Sequence, residues 1–71
     1  MNNYDFINRN LRVIVELINR GFIPINILKK IEIYEAFHSL SGSKMERYQK
    51  LSKKFHLNPD YIRQIIIKMK K

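Results

Sequence analysis

The chain has 71 residues, with 14 lysines and arginines against six aspartates and glutamates, and a net charge of +8. A chain this short forms one small domain, or a domain plus an appendage, with a thin stability margin. The lack of cysteine excludes disulfides and thiolate metal sites. His38 and His56 are too isolated for a structural zinc, so we expect no metal and no cofactor. Self-association is the support that remains.

The N-terminus does not resemble a signal peptide, because it has neither a basic start nor a clean apolar stretch. No apolar run approaches the ~20 residues that a membrane span requires. We therefore expect a soluble protein of the bacterial cytoplasm or nucleoid.

The first helical segment is predicted over residues 4–20, with Gly21 as its C-terminal cap. Its apolar residues recur at helical spacing and spread beyond a single stripe. A helix this apolar in so short a chain is expected to bury one face in its own subunit and another in a partner. The residues expected at a dimer interface are Ile7, Leu11, Ile14 and Ile18.

The second segment begins ambiguously. Residues 22–27 fit an extended strand, a loop or a helix start with Pro24 in the first turn. From Ile27 onward a helix is predicted to near Ser39, with Ile27, Ile31 and Tyr34 on one face and Leu28 and Phe37 beside it.

Two further helices follow the break at Leu40-Ser41-Gly42. Ser43 and Glu46 have capping-box spacing, which predicts the start of the third helix. Asn58 as N-cap and Pro59 at the first helical position predict the fourth, which should run almost to Lys71.

Residues 51–66 fit the pattern of a helix-turn-helix, in which two short helices pack through a tight turn. The first helix must present apolar residues one turn apart, the turn must bury one, and the second helix needs inward residues at i, i+3 and i+4. A small residue, Ser52, lets the helices approach. The apolar positions are filled by Leu51, Phe55, Leu57, Ile62, Ile65 and Ile66, and Met69 continues the inward stripe.

The opposite face of the fourth helix has the chemistry of base recognition. Arg can grip guanine and Gln adenine through paired hydrogen bonds, and an apolar side chain can contact a thymine methyl. The residues that share this outward stripe are Asp60, Arg63, Gln64, Ile67 and Lys71. A solvated helix face with one stray isoleucine is the alternative interpretation.

Positive charge is concentrated around this unit. Residues 1–35 carry five basic and four acidic side chains, a balance of +1, whereas residues 36–71 carry nine and two, a balance of +7. Such a surface favours a polyanionic partner. The side chains expected to contact phosphates are Lys44, Arg47, Tyr48, Lys50, Lys53, Lys54, Tyr61 and Lys68.

Residues 37–69 resemble the C-terminal helix-turn-helix of the Mor family of phage transcription activators, and more generally homeodomain-like bacterial and phage regulators. The resemblance rests on Gly42, Tyr48, residues 51–55, Leu57-Asn58, Tyr61-Ile62 and Ile65-Ile66. It implies a dimer on a symmetric site, with the second helix in the major groove and Asn58, Pro59, Asp60, Arg63 and Gln64 facing DNA. Two departures are His56, where glycine is usual, and the added length at Leu40-Ser41.

The resulting expectation is an all-α protein of about four helices, with a helical dimerisation region over residues 1–40 and a DNA-binding helix-turn-helix over residues 43–71. Its partner would be double-stranded DNA, with a possible contact to the transcription machinery. An enzyme is not expected, since no nucleophile–base pair or phosphate-cradling loop appears. A membrane-surface peptide fits the capped helices poorly. The main rival is a helix-turn-helix module that docks on a transcription or phage protein.

Overall fold

The computed structural model describes residues 1–71 and is all-helical, which confirms the predicted fold class. It contains five helices rather than the predicted four. The helices are α1 (Asn3–Arg9), α2 (Leu11–Asn19), α3 (Asn26–Ser39), α4 (Lys44–Phe55) and α5 (Pro59–Lys70). No helix combines the length and apolar character needed to cross a membrane.

The fifth helix arises because the segment predicted as one helix over residues 4–20 is interrupted at Asn10. Asn10 adopts φ −107° and ψ 19°, between the end of α1 and the start of α2. Its side-chain amide donates to the Phe6 carbonyl at 2.8 Å, so the side chain competes for a helical acceptor. The apolar spacing continues through this position and conceals the break.

Gly21 ends α2 as predicted. It has φ +84°, and the Phe22 N–H reaches back to the Leu17 carbonyl at 2.9 Å, which is a Schellman closure. Residues 22–25 then form bends and turns, so the strand alternative is wrong. Pro24 precedes α3, which starts at Asn26 without a side-chain cap.

The core lies where α3, α4 and α5 meet. Helix α3 packs against both α4 and α5, α4 packs against α5, and α1 lies on α5. Phe37 sits at the centre with only 1% of its surface exposed. Its ring stacks on Tyr48 with centroids 5.4 Å apart. The buried core comprises Ile31, Ile33, Tyr34, Phe37, Leu51, Ile62, Ile65, Ile66 and Met69.

Both predicted helix starts in the C-terminal half are confirmed. The Ser43 hydroxyl accepts from the Glu46 N–H at 3.2 Å, and the Asn58 side chain accepts from the Asp60 N–H at 2.8 Å. Pro59 occupies the first turn of α5. Each cap satisfies a backbone N–H that has no partner within its helix.

The turn between α4 and α5 is closed by backbone and side-chain hydrogen bonds to the same residue. The Leu57 N–H donates to the Ser52 carbonyl at 3.1 Å, and the Ser52 hydroxyl donates to the Leu57 carbonyl. His56 occupies the left-handed region with φ 56° and ψ 44°. Ser52 therefore ties the turn as well as leaving room for α5.

Replacing His56 with glycine is expected to stabilise the fold. A left-handed conformation costs a non-glycine residue about 1–2 kcal/mol, while glycine loses about 0.5–1 kcal/mol through its flexible unfolded chain. The net gain should be about 0.5–1 kcal/mol, a rise of a few degrees in Tm. Thermal and urea unfolding measure it, with His56→Ala as the control that keeps the strain. A lower Tm for His56→Gly than for the parent would contradict this assignment.

Apart from Leu11, which packs against the core, helix α2 lies outside it. None of its residues is buried, and α1 is the helix against which it mainly packs. The molecule is accordingly elongated, with extents of 37 × 26 × 17 Å. Its radius of gyration is 12.7 Å, against about 11 Å for a compact domain of this length.

Candidate functional site

The two faces of α5 differ as the sequence pattern predicts. Ile62, Ile65, Ile66 and Met69 are buried against α3 and α4, and Ile62 has no exposed surface. Because a helix turns about 100° per residue, Asp60, Arg63 and Gln64 point the opposite way. All three are exposed, as is 44% of Ile67. Burial of the apolar face of α5 thus determines the direction in which its polar face points.

The start of α5 is held rigidly. Asn58 is exposed and uses its side-chain oxygen as the cap, which leaves its amide nitrogen directed away from that bond. Asp60 lies in the first turn, where the helix dipole favours negative charge. The side chains at this end are therefore positioned by the backbone.

The exposed lysines of α4 and α5 have no acidic partners. The one ion pair in the chain joins Arg20 to Glu16 at 2.8 Å, in α2. The positive charge of the lysines is therefore not neutralised within the molecule and can act on a polyanion. The exposed lysines among the predicted phosphate contacts are Lys44, Lys50, Lys53, Lys54 and Lys68.

The charge pattern predicts that Arg47 and Tyr48 contact phosphates, but in the structure both side chains point toward the core. The Arg47 guanidinium lies 4.1 Å from the centroid of the Phe37 ring and donates to the Phe37 carbonyl at 3.4 Å. Its Nε is buried without a partner. Tyr48 stacks on the same ring, while Tyr61 is 41% exposed. These two side chains complete the core around Phe37, which the charge pattern could not indicate.

The four residues predicted at a dimer interface divide into two pairs. Ile7 and Leu11 pack against the core of their own chain. Ile14 and Ile18 are half-exposed on α2 and take no part in that core. The apolar stripe therefore begins in the core of the subunit, at Ile7 and Leu11, and continues onto its surface at Ile14 and Ile18.

Helix α1 is held in place by two polar contacts. The Asn3 amide donates to the Lys68 carbonyl at 2.7 Å, near the end of α5. The Tyr4 hydroxyl donates to the Glu35 carboxylate at 2.7 Å, and this hydrogen bond raises the pKa of Tyr4 above its ordinary value. These contacts fix α1 against both α5 and α3.

A groove that the sequence did not reveal opens between α1, the start of α3 and α5. Its volume is about 580 Å³, within the ~300–1,000 Å³ of ligand-sized clefts. Tyr61, Gln64 and Lys68 bring the flank of α5 to it. The apolar cluster at residues 22–27 was its only sequence signal. The apolar lining consists of Phe6, Ile7, Ile23, Ile27, Ile65 and Met69.

Comparison with known protein families, curated proteins and solved structures finds no match. The chemistry of the surface must therefore be inferred from this chain alone. No group of three or more histidine, aspartate or glutamate side chains lies close enough to hold a metal ion. The features available for binding are the exposed face of α5, the lysines around it and the groove.

Proposed function

We propose that the chain is a sequence-specific, double-stranded DNA-binding transcriptional regulator. In this proposal α4 and α5 form a helix-turn-helix, and α5 is the recognition helix in the major groove. The observation that carries it is the exposure of Arg63 and Gln64 directly opposite a fully buried isoleucine face. The resemblance of residues 37–69 to the Mor family makes a phage or another mobile element the proposed source.

Base recognition would be shared among the exposed residues of α5. Arg63 can donate two hydrogen bonds to guanine O6 and N7, and Gln64 can pair with adenine N6 and N7. Ile67 is 44% exposed and can contact a thymine methyl. Asn58 and Asp60, at the capped start of the helix, would face the adjacent base pairs.

The exposed lysines would set the register of the protein on the duplex. They can neutralise phosphates without reading sequence, and Tyr61 can donate a hydrogen bond at the edge of the same surface. Arg47 and Tyr48 are left out of this proposed set because they pack on Phe37.

Lys53→Ala is expected to weaken binding to all DNA sequences by a similar factor. Each neutralised phosphate contributes about 0.9 to the slope of log K against log salt, so the slope should fall by about one per subunit. Fluorescence anisotropy at several salt concentrations measures it. Lys29→Ala, an exposed lysine of α3, is the control. Equal salt slopes for Lys53→Ala and the parent would remove Lys53 from the phosphate surface.

Selection of binding sites from random duplexes tests the function directly. A regulator of this kind should enrich one sequence with two related half-sites, which a mobility shift can then confirm at two salt concentrations. Recovery of unrelated sequences with equal affinity would show a nonspecific polycation.

We also propose that the protein binds as a homodimer through its N-terminal helices. Two copies would present two recognition helices to a symmetric site, as helix-turn-helix dimers do. Ile14 and Ile18 support this, since they form a half-exposed apolar stripe outside the core.

One observation favours a second function, docking on a transcription or phage protein. Ile67 exposes an apolar side chain in the centre of the outward face of α5. In a protein–protein interface, the Ile67 side chain would be buried at the apolar centre of the interface. Failure of site selection, together with capture of a specific protein that Ile67→Asp abolishes, would establish this alternative.

A further inference from the structure

Helix α2 carries an apolar surface that its own chain covers only in part. At about 100° per residue, its apolar positions span roughly 200° of the helix circumference. Val13 is 58% exposed, and Ile14, Leu17 and Ile18 are half-exposed. An amphipathic helix normally buries such a face. Here part of that face stays exposed to solvent.

The groove is a second apolar surface without an occupant. It is lined by α1, α3, α5 and the turn at residues 23–24, and no residue of α2 contributes to it. Next to the lining residue Ile23 lie Phe22, 75% exposed, and Ile25, 69% exposed. The groove and these exposed apolar side chains beside it in the chain are together named the receptor.

Helix α2 cannot fill the groove of its own chain. A single residue, Asn10, joins it to α1, which itself lines the groove through Phe6 and Ile7. A one-residue joint leaves no loop that could fold α2 back over α1. The helix and the receptor can therefore meet only between two molecules.

The surface area agrees with a missing partner. The chain exposes 5255 Å², whereas a compact chain of 8.6 kDa is expected to expose about 4,700 Å². Two copies together thus hold about 1,100 Å² of surplus surface, close to the ~1,200 Å² at which stable specific interfaces begin.

We propose that two copies of the chain exchange α2 reciprocally, so that each α2 lies in the groove of the other copy. This rests on the dimer of the proposed function and specifies its interface. The exchange is self-complementary, since helix meets groove twice about one two-fold axis.

The exchange would couple dimerisation to DNA recognition. Gln64 is exposed toward the proposed base-reading side and also lines the groove, as does Tyr61. An inserted α2 contacts this flank of α5 and restricts the conformations of both side chains. A monomer would leave them unsupported.

Cross-linking tests the exchange cleanly, because the chain has no cysteine of its own. Full-length Ile14→Cys, on α2, and Ile27→Cys, in the groove, are mixed and treated with a short thiol-to-thiol cross-linker without DNA. We expect a covalent dimer that contains one chain of each variant as the dominant product. Gln49→Cys, exposed on α4, is the control and should lose that product. Dominant self-cross-linking of Ile14→Cys would show α2 packing on α2 instead and overturn the exchange.

Complementation provides a second test that does not depend on cross-linker reach. Ile14→Asp damages the inserted helix and Ile23→Asp damages the groove, and both positions are only half-buried, so the fold should persist by circular dichroism. Each variant alone should sediment as a monomer where the parent is a dimer. An equimolar mixture should regain a dimer, in which the intact α2 of Ile23→Asp lies in the intact groove of Ile14→Asp. Dimers of Ile23→Asp alone, or a monomeric parent, would refute the proposal.

The two proposals fail separately. Helix-to-groove cross-linking in a protein that selects no DNA sequence would leave the interface and remove the function. Sequence selection by a protein that cross-links only α2 to α2 would do the reverse.

Discussion

Replacing Phe37 with alanine is expected to remove most of the stability of the fold. Phe37 is 1% exposed, and its ring contacts the Arg47 guanidinium and stacks on Tyr48. Deleting a buried phenylalanine costs about 3–5 kcal/mol, and a chain of this length holds about 4–11 kcal/mol in total. Arg47 would also be left over a cavity with its Nε still buried and unpaired.

Urea unfolding followed by circular dichroism measures this loss. The matched control is Phe22→Ala, which removes the same atoms from a side chain that is 75% exposed. It should change the free energy of unfolding by less than about 1 kcal/mol at low protein concentration, where self-association contributes little. Equal losses for the two variants would show that Phe37 is not the centre of the core.

Arg63→Ala is expected to weaken binding to the selected DNA site by about 5- to 150-fold per half-site. The loss follows from a paired arginine–guanine contact worth about 1–3 kcal/mol. Preference at one base pair should relax, because the residue that discriminates there is gone. Binding to unrelated DNA should change much less, by the contribution of a single charge.

Mobility shifts with the selected site and with each single-base variant of it measure both effects. Arg12→Ala is the control, since Arg12 is an exposed arginine of α2 outside the helical pair. Its loss removes the same charge without touching α5. Unchanged base preference in Arg63→Ala would rule out Arg63 as a base-reading residue.

Local signals predicted the C-terminal half well. Ser43, Asn58 and Pro59 start helices for reasons internal to a few residues, namely cap hydrogen bonds and a fixed φ. The isoleucines of α5 were assigned correctly because a single apolar stripe has only one way to face a core. His56 in the place of glycine indicates a strained or differently shaped turn, and the residue adopts the left-handed region with φ 56°.

Positions decided by packing were less accessible to sequence reasoning. Ile33 was not assigned to the core, because it lies off the stripe of Ile27, Ile31 and Tyr34. It is buried all the same, since α3 packs against two helices at once. The break at Asn10 was missed because a side-chain hydrogen bond, not a change in apolar spacing, ends α1.

The candidate site shows the same division. The outward direction of Arg63 and Gln64 follows from helix geometry alone, and the structure has them exposed. The inward turn of Arg47 depends on a ring ten residues earlier in the chain, and the groove depends on three separate segments. Neither has a periodic signature.

Under the proposed function, the joint at Asn10 would determine the spacing of the two half-sites in the DNA. In a dimer linked through α2, the bend at this one residue sets the distance and the rotation between the two copies of α5. Recognition helices that enter successive major grooves on one side of the duplex must lie about 34–36 Å apart. The backbone angles of Asn10 would thus determine how many base pairs separate the two half-sites. A change at Asn10 would alter that separation while the sequence of each half-site stayed the same.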